Sequence, residues 1–352
     1  MSAVLSTAAD PGHGMAERSE GVWHAAWRRF KSDRVGMISA TIVVGFLLMI
    51  ALSFSGLIAK NWQAEVGVAN APPGFIGPKP PEATGAIEVP KGPNVDLSAV
   101  DPLAPRYKEW DERAAQFKTT ESAKAETLAL GADRLGRDVL SKAIKGTEIS
   151  VFVGVFAAVV ATLIGTMLGA FSGFFGGKIG DFLEWVYNVF EAIPGILLIF
   201  AFAAVFGRGI FTVVLILGLT GWTGLYRQVR AEFMKHGSRE YVRAAEAMGA
   251  SNWSRMFKHI LPNISHVILV RMGLLVVGFI KSEVILSYLG LGVGVEDVSW
   301  GTMLAEAQSE LILGFWWQLA AATLFMAAFV TAFSLLADAV RDALDPKLRG
   351  LE

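Results

Sequence analysis

The sequence predicts an all-α membrane protein with six transmembrane helices and a long external loop between helices 1 and 2. Hydrophobic residues make up 53% of the 352 residues and charged residues only 18%, which is too apolar for an ordinary soluble protein of this length. Six apolar stretches approach or exceed the roughly 20 residues that a helix needs to cross a bilayer. The positive residues beside these stretches agree on one orientation in the membrane.

The six candidate spans are distributed over the whole chain. The first follows the basic sequence WRRFKSDR and has no small-residue cleavage site behind a short apolar core, so we interpret it as a retained anchor and not as a signal peptide. The spans cover residues 35–59, 149–174, 182–206, 210–226, 264–289 and 315–337.

Positive charge near the span ends predicts that both termini lie in the cytoplasm. Arg341, Lys347 and Arg349 follow the last span, and six crossings bring them back to the side of the N-terminus. The segment between the fourth and fifth spans also falls inside, because its basic residues outnumber its acidic ones. The other basic residues used here are Arg28, Arg29, Lys31 and Arg34 before the first span, and Arg227, Arg230, Lys235, Arg239, Arg243, Arg255 and Lys258 in the inner segment.

This topology divides the chain into five parts. The external loop is rich in Pro and Gly over residues 70–93 and is helix-prone over residues 107–130. A solvated insert and a partner-binding insert both remain open for this loop. The parts are a cytoplasmic N-terminal segment (1–34), the first transmembrane helix (35–59), the external loop (60–148), a five-helix core (149–337) with a cytoplasmic loop (227–263), and a cytoplasmic tail (338–352).

Several functional classes are disfavoured by composition. A net charge of −1 argues against nucleic acid as a partner, and the absence of cysteine excludes disulfides, thiolate catalysis and cysteine-ligated metals. The five histidines form no HExxH or comparable pattern, so we expect neither a metal site nor catalytic residues. The sequence GFFGGKIG fails the Walker pattern, because Ser172 stands where its first glycine belongs and Ile179 follows Lys178.

Three glycines of the second span recur at intervals of four residues. Gly165, Gly169 and Gly173, with Ala161 one step before them, would share one helix face and let another backbone approach closely. We expect a helix-packing contact there; the alternative is chance spacing in a glycine-rich membrane protein.

The cytoplasmic stretch YVRAAEAMGASNWSRMFKHILPN (241–263) is polar and basic between apolar spans. Ser238 is expected to cap its first helix, with Glu240 in the first turn. Gly249 suits a turn, Ser251 can start a second short helix, and Pro262 is tolerable near the start of the next span. The predicted apolar face consists of Tyr241, Ala244, Ala245 and Met248.

An amphipathic basic helix on this side has three interpretations. It can lie on anionic lipid, pack against the protein's own loops, or dock into a groove of another protein. Periodicity alone favours the first two.

The order of residues, however, resembles the EAA loop of ABC importer permeases, whose pattern is E-A-A, three residues, Gly, nine residues, Ile, any residue, Leu-Pro. Arg243 replaces the leading Glu and His259 replaces the Ile, and both replacements are similar to the peptide and nickel branch, where Y-V-R-A-A, G-A-S and H-I-L-P-N are familiar. The matching positions are Ala244, Ala245, Gly249, Leu261 and Pro262.

Other segments extend the resemblance over the chain from about residue 131 onward. GADRLGRDVLSKAIKGTEIS (131–150) resembles the G-T-D-x-x-G-R-D-x-L-S segment of C-type dipeptide permeases, with Ala132 in place of Thr. SYLGLGVGVEDVSWGTML resembles their last external loop, and VRDALDPKLRG their C-terminal signature. The first span also fits, whereas the long external loop has no counterpart.

This resemblance implies a type I ABC importer transmembrane domain in a bacterial or archaeal cytoplasmic membrane. Its cytoplasmic loop would form a coupling helix in a cleft of an ATPase subunit, with ATP and Mg bound by that partner and no cofactor or enzymatic activity in this chain. The implied partners are a sister permease, two ATPase subunits and an extracytoplasmic binding protein that delivers peptides. The coupling residues would be Tyr241, Arg243, Ala244, Ala245, Glu246, Gly249, Ala250, Arg255, Leu261 and Pro262.

The translocation pathway is predicted from ionisable residues inside spans. Such groups cost roughly 2.5 to 3.5 kcal/mol at the bilayer centre, so they usually face a bundle interior or a watery cavity. Glu191, Lys281 and Glu283 are the candidates, together with Pro194, which can kink the third span. The alternative for the charged residues is an internal ion pair or a side chain that reaches the membrane interface.

Three competing functions are weighed against a peptide importer. A nickel or other small-solute importer would share the same architecture. An ion-coupled secondary transporter would place paired charges and broken helices in two repeated halves, and no such repeat is visible. A membrane enzyme would need a nucleophile, a base or metal ligands near a span, and no such constellation stands out.

Overall fold

The computed structural model describes residues 22–78, 101–116 and 124–344, and within these ranges the chain forms thirteen α-helices and no β-sheet. A 3-10 turn, Ala104–Arg106, precedes the third helix, and a π-helical stretch, Arg255–Ile260, joins the tenth to the eleventh. The helices are α1 (Val22–Ser32), α2 (Arg34–Phe54), α3 (Tyr107–Gln116), α4 (Val139–Phe175), α5 (Gly177–Glu191), α6 (Gly195–Phe206), α7 (Ile210–Thr220), α8 (Thr223–Gly237), α9 (Glu240–Ala247), α10 (Asn252–Ser254), α11 (Leu261–Tyr288), α12 (Trp300–Ile312) and α13 (Trp317–Leu344).

The predicted all-α membrane class is confirmed. Among the described residues four continuous helices are long and apolar enough to span a bilayer, namely α2, α4, the run Asn252–Tyr288 and α13. Two bent pairs, α5 with α6 and α7 with α8, raise the number to six if each pair crosses once.

The third predicted span, residues 182–206, is divided between α5 and α6. The axes of α5 and α6 meet at 84° across the break that contains Pro194. Proline has no N–H to donate and disfavours helical geometry in the residue before it, so Ile193 cannot continue α5. Pro194 takes an extended ψ of 122° and precedes the first residue of α6. The kink expected at this proline is therefore a full change of direction.

The predicted boundaries of the other spans also need correction. The first transmembrane helix, α2, ends at Phe54 and not at residue 59. Helix α4 begins at Val139, inside the predicted external loop. Asp138 accounts for that start, because its carboxylate accepts the backbone N–H groups of Leu140 and Ser141. The fourth span bends by 42° between α7 and α8, and α8 continues to Gly237.

The segments outside the spans follow the predictions in part. The N-terminal segment contains α1, the helix-prone part of the external loop contains α3, and α13 extends into the predicted tail as far as Leu344. Most of the Pro- and Gly-rich stretch, and the last residues with Lys347 and Arg349, lie outside the described ranges.

The long helix α4 is the centre of the bundle and contacts α5, α7, α8, α11, α12 and α13. At 37 residues it is about 56 Å long. The glycines Gly165, Gly169 and Gly173 lie against α8. A Cβ atom at Gly169 would lie 2.7 Å from the carbonyl oxygen of Tyr226 and 2.9 Å from the Cβ of Val229. The backbones of α4 and α8 therefore approach too closely for any side chain at this position.

The segments on either side of α3, which the topology predicts to be external, join into a small unit without regular strands, which we call the external unit. Isolated backbone bridges connect Glu65 with Arg137, Gly67 with Ala125, and Pro73 with Leu128. The indole N–H of Trp317 donates to the carbonyl of Ala132 at 2.6 Å. This unit is thereby fastened to the first turn of α13.

We predict that Gly169→Ala lowers the stability of the protein, although alanine is the better helix former. Its Cβ would overlap a backbone oxygen that cannot rotate away, and overpacking of this kind costs about 1 to 3 kcal/mol. Thermal unfolding in detergent measures the change. The matched control is Gly45→Ala in α2, where no atom lies within 4 Å of the added Cβ. That variant should be as stable as the parent or slightly more so, by up to about 1 kcal/mol. Equal midpoints for both variants would show that the α4–α8 contact tolerates a side chain.

Candidate coupling surface and buried polar clusters

The first helix of the cytoplasmic stretch does not begin at the predicted cap. Ser238 has helical backbone angles and its hydroxyl donates to the carbonyl of Lys235 at 3.0 Å, so it closes α8. Arg239 has the extended angles of an N-cap residue, and α9 starts at Glu240 without a side-chain cap. The assignment of Ser238 was therefore wrong, because two helices meet there with almost no connecting loop.

The two sides of α9 face different surroundings. Val242 and Ala245 are about 1% exposed, and Val242 joins a cluster with Leu225, Val229 and Phe233 of α8. Tyr241 and Ala244 are exposed, and Met248 is 81% exposed. The predicted apolar face is thus wrong for Ala245, which packs inward. The inward side was missed because Val242 was not counted as part of an apolar face.

Backbone geometry defines the turn after α9. Gly249 has a φ of +85°, which an L side chain rarely adopts, and the Ala250 N–H donates to the Ala245 carbonyl at 3.0 Å. The hydroxyl of Ser251 accepts the N–H of Ser254 at 3.3 Å and starts α10. Pro262 lies in the first turn of α11. The turn, the second start and the proline position are confirmed.

An arginine connects this turn to the transmembrane bundle. Arg255 forms an ion pair with Glu246 of α9, and its guanidinium lies 5.0 Å from the ring centre of Phe174 near the end of α4. Its side chain is only 16% exposed, whereas that of Glu246 is 60% exposed. Arg255 therefore packs under the turn and not at its rim.

The outer surface of the stretch is apolar with basic neighbours. Trp253 is 60% exposed, and its ring packs against that of Phe257 with centroids 4.2 Å apart and the planes tilted by 39°. The prediction missed this tryptophan, although a large aromatic residue in a polar cytoplasmic stretch is a signal in itself. Tyr241 bonds to His236 Nδ1 at 2.8 Å, and partial burial raises the pKa of its phenol. The coupling surface, as we use the term, comprises Tyr241, Ala244, Met248, Gly249 and Trp253.

The remaining predicted coupling residues border this surface. Arg243 and Pro262 are exposed, whereas Leu261 is half-buried against the cluster beneath α9. Ala250 is half-buried in the turn after α9.

The structure separates the four pathway candidates. Glu191 is the last residue of α5 and is exposed at the 84° break, beside exposed Pro194. Lys281 is exposed on α11, and neither it nor Glu191 has an ion-pair partner among the described residues. Glu283 is fully buried and hydrogen-bonded to Ser150 and Ser287, so in this structure it has no surface from which to contact a solute.

A second buried polar cluster was not predicted. Lys142 of α4 is fully buried, and its ammonium contacts Asp133 at 2.7 Å, Gln318 of α13 at 3.0 Å and Glu306 of α12. Arg137 also pairs with Asp133 at 2.6 Å. We call these five residues the lysine cluster. It ties the external unit to three helices of the bundle.

Charge pairing controls the carboxyl groups around this cluster. Burial alone would raise the pKa of Asp133, but the adjacent Lys142 ammonium, with Arg137, outweighs burial and lowers it. Burial raises the pKa of nearby Glu310, which accepts the backbone N–H of Arg134 at 2.9 Å. The sequence signal was the charged motif DRLGRDVLSK, which was matched to a family but not interpreted as an ion-pair network.

Removing the central cation should destabilise the external unit. We predict that Lys142→Met lowers the free energy of unfolding by about 3 to 5 kcal/mol, because Asp133 would remain buried beside an apolar group. Lys124→Met is the control, since its ion pair with Glu65 is largely exposed and should contribute at most about 1 kcal/mol. Denaturant unfolding in detergent and limited proteolysis of the external unit measure the difference. Comparable losses in both variants would contradict a buried anchor at Lys142.

Comparison with known proteins places this geometry in context. Residues 165–350, more than half of the chain, match the family described as binding-protein-dependent transport system inner membrane component. Residues 21–73 match the N-terminal transmembrane domain of oligopeptide transport permease C.

Individual relatives cover most of the chain. It is 36% identical over 247 residues to the oligopeptide transport system permease protein OppC of Bacillus subtilis, which is 70% of this chain and 81% of that protein. It is 26% identical over 344 residues to the dipeptide transport system permease protein DppC of Lactococcus lactis, 98% of this chain and 96% of that protein. It is 39% identical over 222 residues to the glutathione transport system permease protein GsiD of Salmonella typhimurium, 62% of this chain and 72% of that protein.

Proposed function

Because the chain belongs to the family of binding-protein-dependent transport system inner membrane components, we propose that it is the membrane-spanning permease subunit of an ATP-driven importer of peptides. The single observation that supports this role best is the coupling surface, an exposed apolar patch held rigidly under the bundle. Permease relatives named for oligopeptides, dipeptides and glutathione support peptides as the solute.

The coupling surface has the properties of a docking site. A protein contact buries apolar side chains at its centre and keeps charged groups at its rim. Met248 and Trp253 would fill the centre, with Arg243 at the rim. The partner is an ATPase subunit, which binds ATP and Mg, whereas this chain carries neither cofactor and is not itself an enzyme.

Two mechanical links lead from this surface into the membrane. The buried side chain of Val242 packs α9 against α8, which lies directly on the glycine face of α4. In addition, α10, the π-helical stretch and α11 form one unbroken helical run, Asn252–Tyr288. A displacement of the coupling surface therefore moves α8 and α11 together, and access can alternate without a loop absorbing the motion.

The solute pathway is assigned by exposure and charge. Unpaired charges are costly against lipid, so exposed Glu191 and Lys281 should face water, the solute or a sister permease. Pro194 contributes by breaking the helix beside Glu191 and freeing backbone groups there. The remaining partners are the sister permease and an extracytoplasmic binding protein, and both termini lie in the cytoplasm of a bacterial or archaeal cell.

Reversing the polarity of the coupling surface should uncouple ATP hydrolysis from transport. We predict that Met248→Arg lowers peptide uptake by at least about tenfold in proteoliposomes with all partners, because the contact would have to bury a new charge. Met248→Leu keeps the apolar area and should retain uptake. Met234→Arg, at a half-exposed position of α8 outside the surface, is the positional control. Full uptake by Met248→Arg would refute the docking assignment.

The same assay separates this function from its competitors. The purified chain alone should neither hydrolyse ATP nor transport, and activity should require the sister permease, ATPase subunits and binding protein. Uptake driven by an ion gradient alone would favour a secondary transporter. Uptake of nickel in place of peptides would keep the importer and change the solute.

Neutralising the charge at the helix break should alter transport without altering assembly. We predict that Glu191→Gln changes the rate of uptake or the range of peptides accepted by several-fold, because its carboxylate would face the passing solute. Asp181→Asn, at an exposed position near the start of the same helix, should leave both unchanged. Identical rates and peptide range for Glu191→Gln and the parent would remove Glu191 from the pathway.

A further inference from the structure

The segment that joins α11 to α12, residues 289–299, packs unusually closely against the bundle. A Cβ atom at Gly292 would lie 2.0 Å from the hydroxyl oxygen of Ser287, and one at Gly301 would lie 2.5 Å from the carbonyl oxygen of Val284. The carbonyl of Gly292 also accepts the N–H of Gly209, in the turn before α7, at 3.1 Å. Gly292 of this segment therefore contacts both α11 and the turn before α7. Val295, at the tip of the segment, is 82% exposed.

One carboxylate lies at the centre of the contacts that hold the segment. Glu283 of α11 is fully buried, and its two oxygens accept the hydroxyls of Ser150 of α4 at 2.7 Å and Ser287 of α11 at 2.6 Å. The same hydroxyl oxygens accept backbone N–H groups, Ser150 from Trp300 at 3.2 Å and Ser287 from Val293 at 3.3 Å. Two relays thus run from backbone N–H through serine to Glu283.

The backbone N–H groups determine which atom donates in each of these hydrogen bonds. A backbone N–H only donates, so each serine oxygen is an acceptor there and has its one hydrogen left for Glu283. Trp300 is the first residue of α12, and the positive end of this 13-residue helix favours a negative group nearby. No Lys or Arg in the described part of the chain forms an ion pair with Glu283. The carboxyl group of Glu283 is therefore held by hydrogen bonds from hydroxyl groups and not by an opposite charge.

An attachment of this kind can be released at low cost. When water enters, a carboxylate, two hydroxyls and two N–H groups exchange their mutual bonds for bonds to water, so the net loss per bond is small. An apolar contact of the same size would instead oppose hydration in proportion to its area. The segment is therefore held by contacts that favour a closed state without forbidding an open one.

We propose that Glu283 is a positioning residue of the transport cycle: it latches residues 289–299 against α4, and the latch opens when the mouth of the pathway opens. This inference rests on the proposed function, in which α11 also runs down to the coupling surface. Glu283 lies 22 residues, or about 33 Å of helix, from Leu261. Movement of α11 at its start, next to the coupling surface, would therefore displace Glu283 through the same helix.

The test uses a cysteine as a reporter of the closed segment. The chain contains no cysteine, and the side chain of Val293 is 4% exposed, so Val293→Cys introduces one buried thiol. A membrane-impermeant maleimide labels this thiol only when the segment opens. Labelling should be about tenfold faster when Glu283→Gln is added, because the amide N–H₂ would face a serine hydroxyl that has to reorient. Glu296→Gln, the same substitution at an exposed position of the segment itself, should leave the rate unchanged.

Single serine variants keep the proposal testable if Glu283→Gln does not fold. Ser287→Ala removes the acceptor of the Val293 N–H and Ser150→Ala that of the Trp300 N–H, so both should also accelerate labelling, by a smaller factor. In the assembled importer, binding protein and trapped ATP should accelerate labelling of the parent but add little to Glu283→Gln. A merely structural role would lower the unfolding temperature without this loss of response.

The outcomes separate the two proposals. Equal labelling rates for the parent, Glu283→Gln and both serine variants would overturn the latch, whatever the importer does. Faster labelling of the variants in the permease alone, with no uptake by any assembly, would support the latch as a gate element and refute the importer.

Discussion

The close approach of α4 and α8 is the constraint on which the rest of the arrangement depends. Lipid offers no hydrophobic drive for helices to pair, so association relies on shape and on short backbone distances. The glycine face of α4 provides this by admitting the carbonyl oxygens of Trp222, just before α8, and of Tyr226 and Arg230 in α8. Because α8 is fixed in this way, α9 and the turn after it have a rigid base. In the proposed function, a displacement of the coupling surface would therefore reach α8 and would not be absorbed by a flexible loop.

The elements that depend on neighbours in sequence were largely predictable. Apolar length identified the spans, Gly249 identified a turn by its freedom at positive φ, and Ser251 identified a helix start by its hydroxyl. The break at Pro194 was expected as a kink, but its angle of 84° depends on how α5 and α6 pack and is not encoded locally.

The parts that were missed depend on distant partners. Lys142 pairs with Glu306 and Gln318, 164 and 176 residues away, and no local pattern announces that an ammonium inside a predicted loop will be buried. Ala245 was assigned to the outer face because spacing along α9 allows either side, and only its burial in the folded chain decides between them. Glu283 was identified as unusual by its place in a span, yet its burial could be seen only once α4 and α12 were in position.

The two buried polar clusters near the same ends of α4 and α11 differ in a way that suits different tasks. In the lysine cluster, opposite charges meet directly, and separating Lys142 from Asp133 would cost both buried ions one of their charged partners. Breaking a buried ion pair is costly, which fits a permanent anchor for the external unit. Around Glu283 the contacts are hydrogen bonds from serine hydroxyls, which in turn accept backbone N–H groups, and water can replace each of these bonds. That contact can be opened one bond at a time, and its place on the helix that begins at the coupling surface makes it the point where motion from the ATPase side would be expected to act.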